Sequence, residues 1–336
     1  MGRRVILSGM RPTGKLHIGN YLGALANWIR LQNEPDTQCY FMVADWHALT
    51  TDYEDPSQVE SNIEEMVLDW ISCGLDPEKS VIFRQSWVSE HAELALILSM
   101  ITPLSWLERN PTYKEQMTEL KDKSISTHGF LGYPVLQAAD ILLYGATHVP
   151  VGEDQLPHLE LTREIARRFN FLYKTSALVE PQALLSQIPK VSGIDGRKMS
   201  KSYGNTIAIA EEEKDLSKKI KSMFTDPLKL KIGDRGHPTP CSENPTGCVV
   251  FAFHKIYENP AGIPQRQSSC MDGSMGCSQC KNDLFMEMNE NLKGVREKRR
   301  GIKTGLVQEI LKNGSECAKK RARETLKIVK KSISYQ

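Results

Sequence analysis

Residues 8–20, S-G-M-R-P-T-G-K-L-H-I-G-N, constrain this chain more than any other stretch. They follow the β-branched run Val5-Ile6-Leu7 and lead into an apolar-periodic segment, 21–31. The sequence therefore predicts strand, glycine-rich turn and helix. That order sets backbone N–H groups and a helix dipole to receive an anion. Gly9, Gly14 and Gly19 let the backbone approach a ligand, Pro12 stiffens the turn, and Lys15 and His17 add donors. An ordinary strand–loop–helix link has the same outline, so the stretch needs a partner elsewhere.

At 336 residues, 40% hydrophobic and 25% charged, the chain is of globular composition and long enough for about two domains. Charge or proline interrupts its apolar stretches well before the ~20 residues of a membrane span. No apolar leader precedes the first strand, so a cytoplasmic protein is expected. The net charge of +2 is uneven, because residues 281–336 hold 15 Lys/Arg against 7 Asp/Glu. A basic end suggests a polyanionic partner, although a solvated helical tail has the same composition. Eight cysteines in such a chain argue against a disulfide set. Cys39, Cys73 and Cys317 are scattered, whereas Cys241, Cys248, Cys270, Cys277 and Cys280 cluster.

Strands are expected at 40–44 and 80–83, with a helix at 57–72 stopped by Gly74. Strand alternating with helix predicts a parallel sheet covered by helices, whose ligands lie beyond the carboxyl ends of the strands. His47 falls at such an end, where it serves either the fold or a site. Residues 89–130 read as mainly helical, with Lys114 in a polar stretch. A densely apolar helix follows, on which Tyr133, Gln137, Asp140 and Tyr144 share one face. A buried carboxylate needs a partner: a neighbouring backbone group or Arg, or a ligand amine or ring N–H. Next, Val149-Pro150-Val151 reads as a strand ending at Gly152-Glu153-Asp154-Gln155. There Asp154 suits ribose hydroxyls and Gln155 a zwitterion.

The partner of the first stretch is Lys198-Met199-Ser200-Lys201-Ser202, a glycine-flanked cationic loop. Mobile lysines can supply charge as a phosphoryl-type transition state forms. Together, P-T-G-K-L-H-I-G-N at 12–20 and K-M-S-K-S at 198–202 resemble the paired HIGH and KMSKS signatures of class I aminoacyl-tRNA synthetases. The segments 133–144, 149–155 and H-x-E-L-T-R at 158–163 are similar to the bacterial tryptophanyl branch, and the likeness runs from about residue 4 to 330.

This resemblance implies a Rossmann-like parallel-sheet catalytic domain over 1–190, with a helical insertion at about 89–130. It implies a KMSKS loop at 191–205 and a helical anticodon-binding domain over 206–336. It implies activation of tryptophan with Mg²⁺ and ATP, transfer to tRNA(Trp), and a homodimer. Asp140 would accept the indole N–H, Tyr133 and Gln155 would hold the α-amino group, and Gln137 and His47 would complete the amino-acid pocket. Arg11, Pro12, Thr13, Gly19 and Asn20 would form the ATP pocket with Gly152, Glu153 and Asp154, and Ile194 is a candidate for backbone contact with adenine. His17, Asn20, Lys198 and Lys201 would act in catalysis, Met199, Ser200 and Ser202 would complete the loop over ATP, and Lys114 would add a third cation. Arg11 stands where some bacterial relatives carry Gln, Gln137 where some carry Met, and Asn20 ends a motif that more often ends in His.

Cys248, Cys270, Cys277 and Cys280 end in a C-x-x-C pair, which lets two thiolates share one centre. Four thiolates suit tetrahedral Zn²⁺ or an iron–sulfur cluster, and spacing does not separate the two. N-P-T-G-C at 244–248 and M-G-C-S-Q-C-K at 275–281 resemble a subset of tryptophanyl enzymes that carry a [4Fe-4S] cluster. The cluster is therefore expected, with Cys241 as an alternative first ligand. Lys298, Arg299, Arg300, Lys319, Lys320, Arg321 and Arg323 are expected beside it, facing tRNA phosphates. Other readings are the tyrosyl enzyme, a catalytically silent RNA-binding paralogue, and a nucleotidyltransferase with another acceptor.

Overall fold

The computed structural model describes residues 3–111, 126–185 and 191–334. Five strands form one sheet: β1 (Arg4–Met10), β2 (Thr37–Val43), β3 (Ser80–Arg84), β4 (His148–Val151) and β5 (Gln182–Leu185). Their order is β3-β2-β1-β4-β5, and every pairing is parallel, with Leu7 opposite Tyr40, Tyr40 opposite Val81 and His148 opposite Gln182. The order reverses at β1, which puts a ligand crevice at the carboxyl ends of the strands beside it.

Parallel neighbours need crossovers, and helices supply them. Between β1 and β2 lie α1 (Ile18–Asn20), a π-helical turn (Tyr21–Leu25) and α2 (Ala26–Leu31), in place of the single helix that periodicity predicts. Before β3 come α3 (Asp45–Asp52) and α4 (Val59–Cys73), the latter ended by Gly74 at φ 111°. Between β3 and β4 come α5 (Glu90–Ser99), α6 (Leu104–Glu108) and α7 (His128–Leu143). Helix α7 starts well before Pro134, because Thr127 caps it by accepting the Phe130 N–H at 3.1 Å. Helix α8 (Leu156–Leu172) precedes β5, a short strand of Gln-Ala-Leu-Leu that carries no β-branched signal.

The chain divides into two compact units, one of 1–14, 24–187 and 303–336, the other of 15–23 and 188–302. Helices α9 (Glu213–Ser222), α10 (Val249–Tyr257), α11 (Ile263–Met271) and α12 (Cys277–Gly301) belong to the second unit. There Lys281 of α12 donates to the carbonyls of Lys221 and Met223 at 2.7 and 2.8 Å, which satisfies the end of α9.

The last helix, α13 (Leu306–Ile333), belongs to the sheet unit. Its apolar positions Val307, Ile310, Leu311, Ala318, Ala322, Leu326 and Val329 recur at helical spacing and are buried. Ala318, Ala322, Leu326 and Val329 join Phe83, Leu142 and Leu143 in the core of that unit. No helix among the described residues is long and apolar enough to cross a membrane.

Candidate active site

In the sheet unit, the buried carboxylate of Asp140 is the centre of a polar cluster at the strand ends. It projects from α7 and is 1% exposed. Three side chains donate to it. His47, on the first turn of α3, brings Nε2 to 2.8 Å of Oδ2. Gln85, just past β3, donates Nε2 to both oxygens at 2.9 and 3.0 Å. His91, on α5, brings Nδ1 to 2.6 Å of Oδ1. Burial alone would push the Asp140 carboxyl up, but the charge and hydrogen bonds of His91 and His47 hold it at about 2. It is therefore ionised and an acceptor.

Tyr133 and Gln137 lie on the same helix, both half-buried. The Tyr133 hydroxyl is 2.9 Å from His158 Nε2, while Asn110 Nδ2 lies 3.1 Å from His158 Nδ1. The Asn amide donates to Nδ1, so the ring proton sits on Nε2 and points at Tyr133. Burial, with His47 nearby, pushes His158 down to about 4, which keeps that ring neutral.

At the end of β4, Glu153–Gln155 form a 3-10 turn, and Gln155 Nε2 donates to Asp154 Oδ2 at 3.1 Å. A Cβ on Gly152 would lie 2.6 Å from Asp154 Oδ1, so glycine is what allows the carboxylate to fold back there. Arg11 and Thr13 are exposed and Pro12 is buried in the same unit. Lys114 lies outside the described residues.

The second unit brings the two loop motifs together. The 15–23 segment runs beside 207–209: Ile18 N–H donates to Ile207 O at 2.9 Å and Ile209 N–H to Leu16 O at 3.0 Å. His17 caps α1. Its Nδ1 accepts the Asn20 N–H at 3.2 Å, and Asn20 Oδ1 accepts the His17 N–H at 3.1 Å. Burial and the nearby Lys201 push His17 down to about 4. The ring is thus neutral, and with Nδ1 accepting, its proton is on Nε2.

A Cβ on Gly19 would reach Met199 Sδ at 3.6 Å, so the two motifs touch through this glycine. Met199 is buried and anchors the lysine loop, while Lys198 and Lys201 are exposed. Asn205, buried at 2%, organises the loop. Its side chain donates to Lys198 O at 3.1 Å and Asp195 Oδ1 at 2.8 Å, and accepts the Ser200 N–H at 2.8 Å. Ser200 and Ser202 hydroxyls meet at 2.8 Å. Ile194 already uses its N–H on Asn205 O at 3.0 Å, and its carbonyl takes Phe224 N–H at 2.7 Å.

A family model described as tRNA synthetases class I (W and Y) matches residues 2–293. The chain belongs to this family. It is 49% identical to the tryptophan–tRNA ligase of Thermotoga maritima, with 98% of both chains covered. It is 41% identical to that of Aquifex aeolicus, covering 98% of this chain and 99% of the relative. Among solved structures, the tryptophanyl-tRNA synthetase of Campylobacter jejuni, complexed with ADP and tryptophan, superposes with a TM-score of 0.84 at 36% identity, covering 98% of this chain and 99% of that one.

Beyond the reaction centre of this class I synthetase, Cys248, Cys270, Cys277 and Cys280 line one pocket with Lys229 and Arg266. Cys248 precedes α10, Cys270 ends α11, and Cys277 and Cys280 open α12. A Cβ on Gly236 would lie 2.5 Å from Cys270 Sγ, so glycine is what allows the backbone to pass this close to that thiol. Arg266 Nη1 sits 3.8 Å from Cys280 Sγ and also pairs with Glu258 and Asp283. Among the described residues no three His, Cys, Asp or Glu are grouped to hold a metal ion. Cys241 is exposed, accepts the Asn244 N–H at 3.3 Å, and does not line the pocket.

The basic residues divide. Lys298, Arg299 and Arg300 end α12 in the cysteine unit, where Arg300 pairs with Glu212 at 2.6 Å. Lys319, Lys320, Arg321 and Arg323 lie on α13 of the sheet unit. There Arg321 Nε donates to Tyr144 O at 3.2 Å, and Arg323 pairs with Glu90 at 2.8 Å. Sequence reasoning missed Gln85, His91, His158 and Asn205 as site-building residues. Gln85 carried a signal in its place at a strand end, and His158 in the H-x-E-L-T-R segment.

Proposed function

We infer that the chain is an ATP-dependent enzyme that activates L-tryptophan and charges tRNA(Trp). The observation that carries this is Asp140, an ionised acceptor at the strand ends of the sheet, in a chain whose full-length relatives are tryptophan–tRNA ligases. A tryptophan carboxylate oxygen attacks the α-phosphorus of ATP, the bond to the bridging oxygen breaks, and pyrophosphate leaves. Mg²⁺ enters with ATP and offsets phosphate charge. His17, through Nε2–H, and Lys198 and Lys201 supply the remaining positive charge and donors as it develops. A ribose hydroxyl of the tRNA terminus then attacks the acyl carbon, and AMP departs.

In this reading the indole N–H is taken by Asp140, the α-amino group by Tyr133 and Gln155, and ribose by Asp154. His47 and Gln137 line the amino-acid pocket. Arg11, Pro12, Thr13, Gly19, Asn20, Gly152, Glu153 and Ile194 serve ATP. A polar site left unpaired by the wrong ligand rejects it by about 10⁴-fold. The test is ATP–pyrophosphate exchange with each amino acid: tryptophan-dependent exchange lost in Asp140→Ala supports the reading, and exchange with tyrosine alone overturns it.

The helical segment 206–302 is proposed to meet tRNA, with Arg299 and Arg300 against its phosphates. Charge reversal at both should weaken tRNA binding and steepen no step of adenylate formation; equal loss of both activities would refute the assignment. The four pocket cysteines are proposed to hold a [4Fe-4S] cluster. An all-sulfur set around a shared pocket supports it. Such a cluster would staple α10, α11 and α12 and take no part in the acyl transfer. The homodimer and a cytoplasmic location rest on the family likeness; sedimentation of the purified chain tests the dimer.

A further inference from the structure

We propose that His91, anchored at its far nitrogen by Tyr144, is a positioning residue for amino-acid selection, holding Asp140 as an acceptor for the indole N–H. This deepens the reading of Asp140 given above and rests on it. Neither residue touches the amino acid in that reading; both act through the carboxylate.

A carboxylate 1% exposed tends to take up a proton, and a protonated carboxyl no longer demands a donor from its ligand. Donors must keep it ionised while leaving it aimed at the pocket. Its three donors differ in freedom. The His47 side chain is 12% exposed, and Gln85 shares one amide group between both oxygens. His91 is fully buried, stacked on Phe83 at 6.0 Å between ring centroids, and held at both nitrogens: Nδ1 2.6 Å from Asp140 Oδ1, Nε2 2.7 Å from the Tyr144 hydroxyl.

An ionised carboxylate only accepts, so His91 Nδ1 carries its hydrogen. At the far end of the ring, Nε2 meets the Tyr144 hydroxyl. Tyr144 cannot turn away, being fully buried and stacked on Tyr40 at 4.8 Å between centroids. Burial and the negative charge of Asp140 hold its hydroxyl well above the ordinary tyrosine range, so it keeps its proton. Without that hydroxyl the ring loses its far anchor and can swing its Nδ1–H off the carboxylate. A histidine buried only for packing would need no partner at both ends.

The test uses the full-length enzyme and compares kcat/KM in ATP–pyrophosphate exchange for tryptophan and for benzothienylalanine, in which sulfur replaces the indole N–H. The variants are Tyr144→Phe, His91→Gln, which keeps a group near Nε2 but not Nδ1, and His91→Asn, whose amide can replace the Nδ1 donor. The wild type should favour tryptophan strongly. Tyr144→Phe and His91→Gln should each lose about tenfold or more of that preference, with KM for ATP unchanged, while His91→Asn keeps most of it. An unchanged preference in Tyr144→Phe and His91→Gln overturns the proposal alone, as does an equal loss with both substrates. A wild type that accepts both equally overturns the Asp140 reading, and this proposal with it.

Discussion

His17 and Asn20 hold each other across the first turn of α1, ring nitrogen to backbone N–H and side-chain oxygen to backbone N–H, at 3.2 and 3.1 Å. Asn at the last position of this motif thus closes a reciprocal cap: the backbone N–H of residue 20 fixes the imidazole proton on Nε2, and the Asn20 side chain holds the His17 backbone. Asn20→Ala keeps the first bond and loses the second, so it should loosen the turn that presents His17 and slow adenylate formation by about fivefold, the size of a lost cap. KM for tryptophan should stay unchanged. Single-turnover adenylate formation measures it, and a variant as fast as the wild type would show that the side-chain half of the cap does not position His17.

His158 makes a prediction about acid stability. Its pKa is pushed down to about 4 in the folded chain, mainly by burial, against 6.5 when exposed. Above 6.5 both states are neutral there and the residue adds no pH dependence. Between 6.5 and 4 the unfolded chain takes up a proton that the folded one refuses, so stability falls by up to about 3 kcal/mol. His158→Gln keeps a donor for Tyr133 and should flatten this slope by about one proton. Urea unfolding at several pH values in that window reads it, and parallel slopes for the two proteins would refute it.

Gly314 sets how closely α13 packs on the sheet. This glycine of α13 lies so close to the carbonyl of Ile82 in β3 that any Cβ there would collide with backbone. Gly314→Ala should therefore force helix and strand apart and destabilise the sheet unit by about 2 kcal/mol or more. Thermal unfolding checks this, and a wild-type melting temperature would show that α13 gives way freely. For the same reason, removing residues 303–336 should cost the amino-acid pocket its fold, although these residues belong to no motif.

How legible was this in the sequence? The alternation that made β1 to β4 was readable because β-branched runs and Gly74 punctuate it. The face of α7 carrying Tyr133, Gln137 and Asp140 followed from spacing, and so did the need of Asp140 for a partner. The partners themselves were not readable. Gln85, His91 and His47 come from three segments, and only the parallel order of the strands brings them to one carboxylate. Asn205 likewise looked like a flanking turn residue until its side chain was found bonding three backbone and side-chain groups of the lysine loop. The basic run at 319–323 shows the limit of reading charge. Charge marks a solvated helix face, but the buried stripe on the other face decides where the helix packs.

That distinction also sorts the cysteines. Cys241 sits seven residues before Cys248 and competes with it as a ligand by sequence alone. Its thiol is exposed and occupied by the Asn244 N–H, whereas Cys248 lines the pocket with Cys270, Cys277 and Cys280. Protein purified without air should therefore contain iron and acid-labile sulfide in the wild type and in Cys241→Ser. Serine at Cys248, Cys270, Cys277 or Cys280 should lose most of both, because a four-iron centre is held by four thiolates. The brown colour should bleach on reduction in the first pair and be absent in the second set. Tryptophan-dependent pyrophosphate exchange should survive in folded members of either group, since the pocket lies in the helical unit and the tryptophan pocket in the sheet unit. Stoichiometric zinc without iron in the anaerobic wild type would refute the cluster. Iron retained in Cys248→Ser and lost in Cys241→Ser would exchange the roles of the two residues.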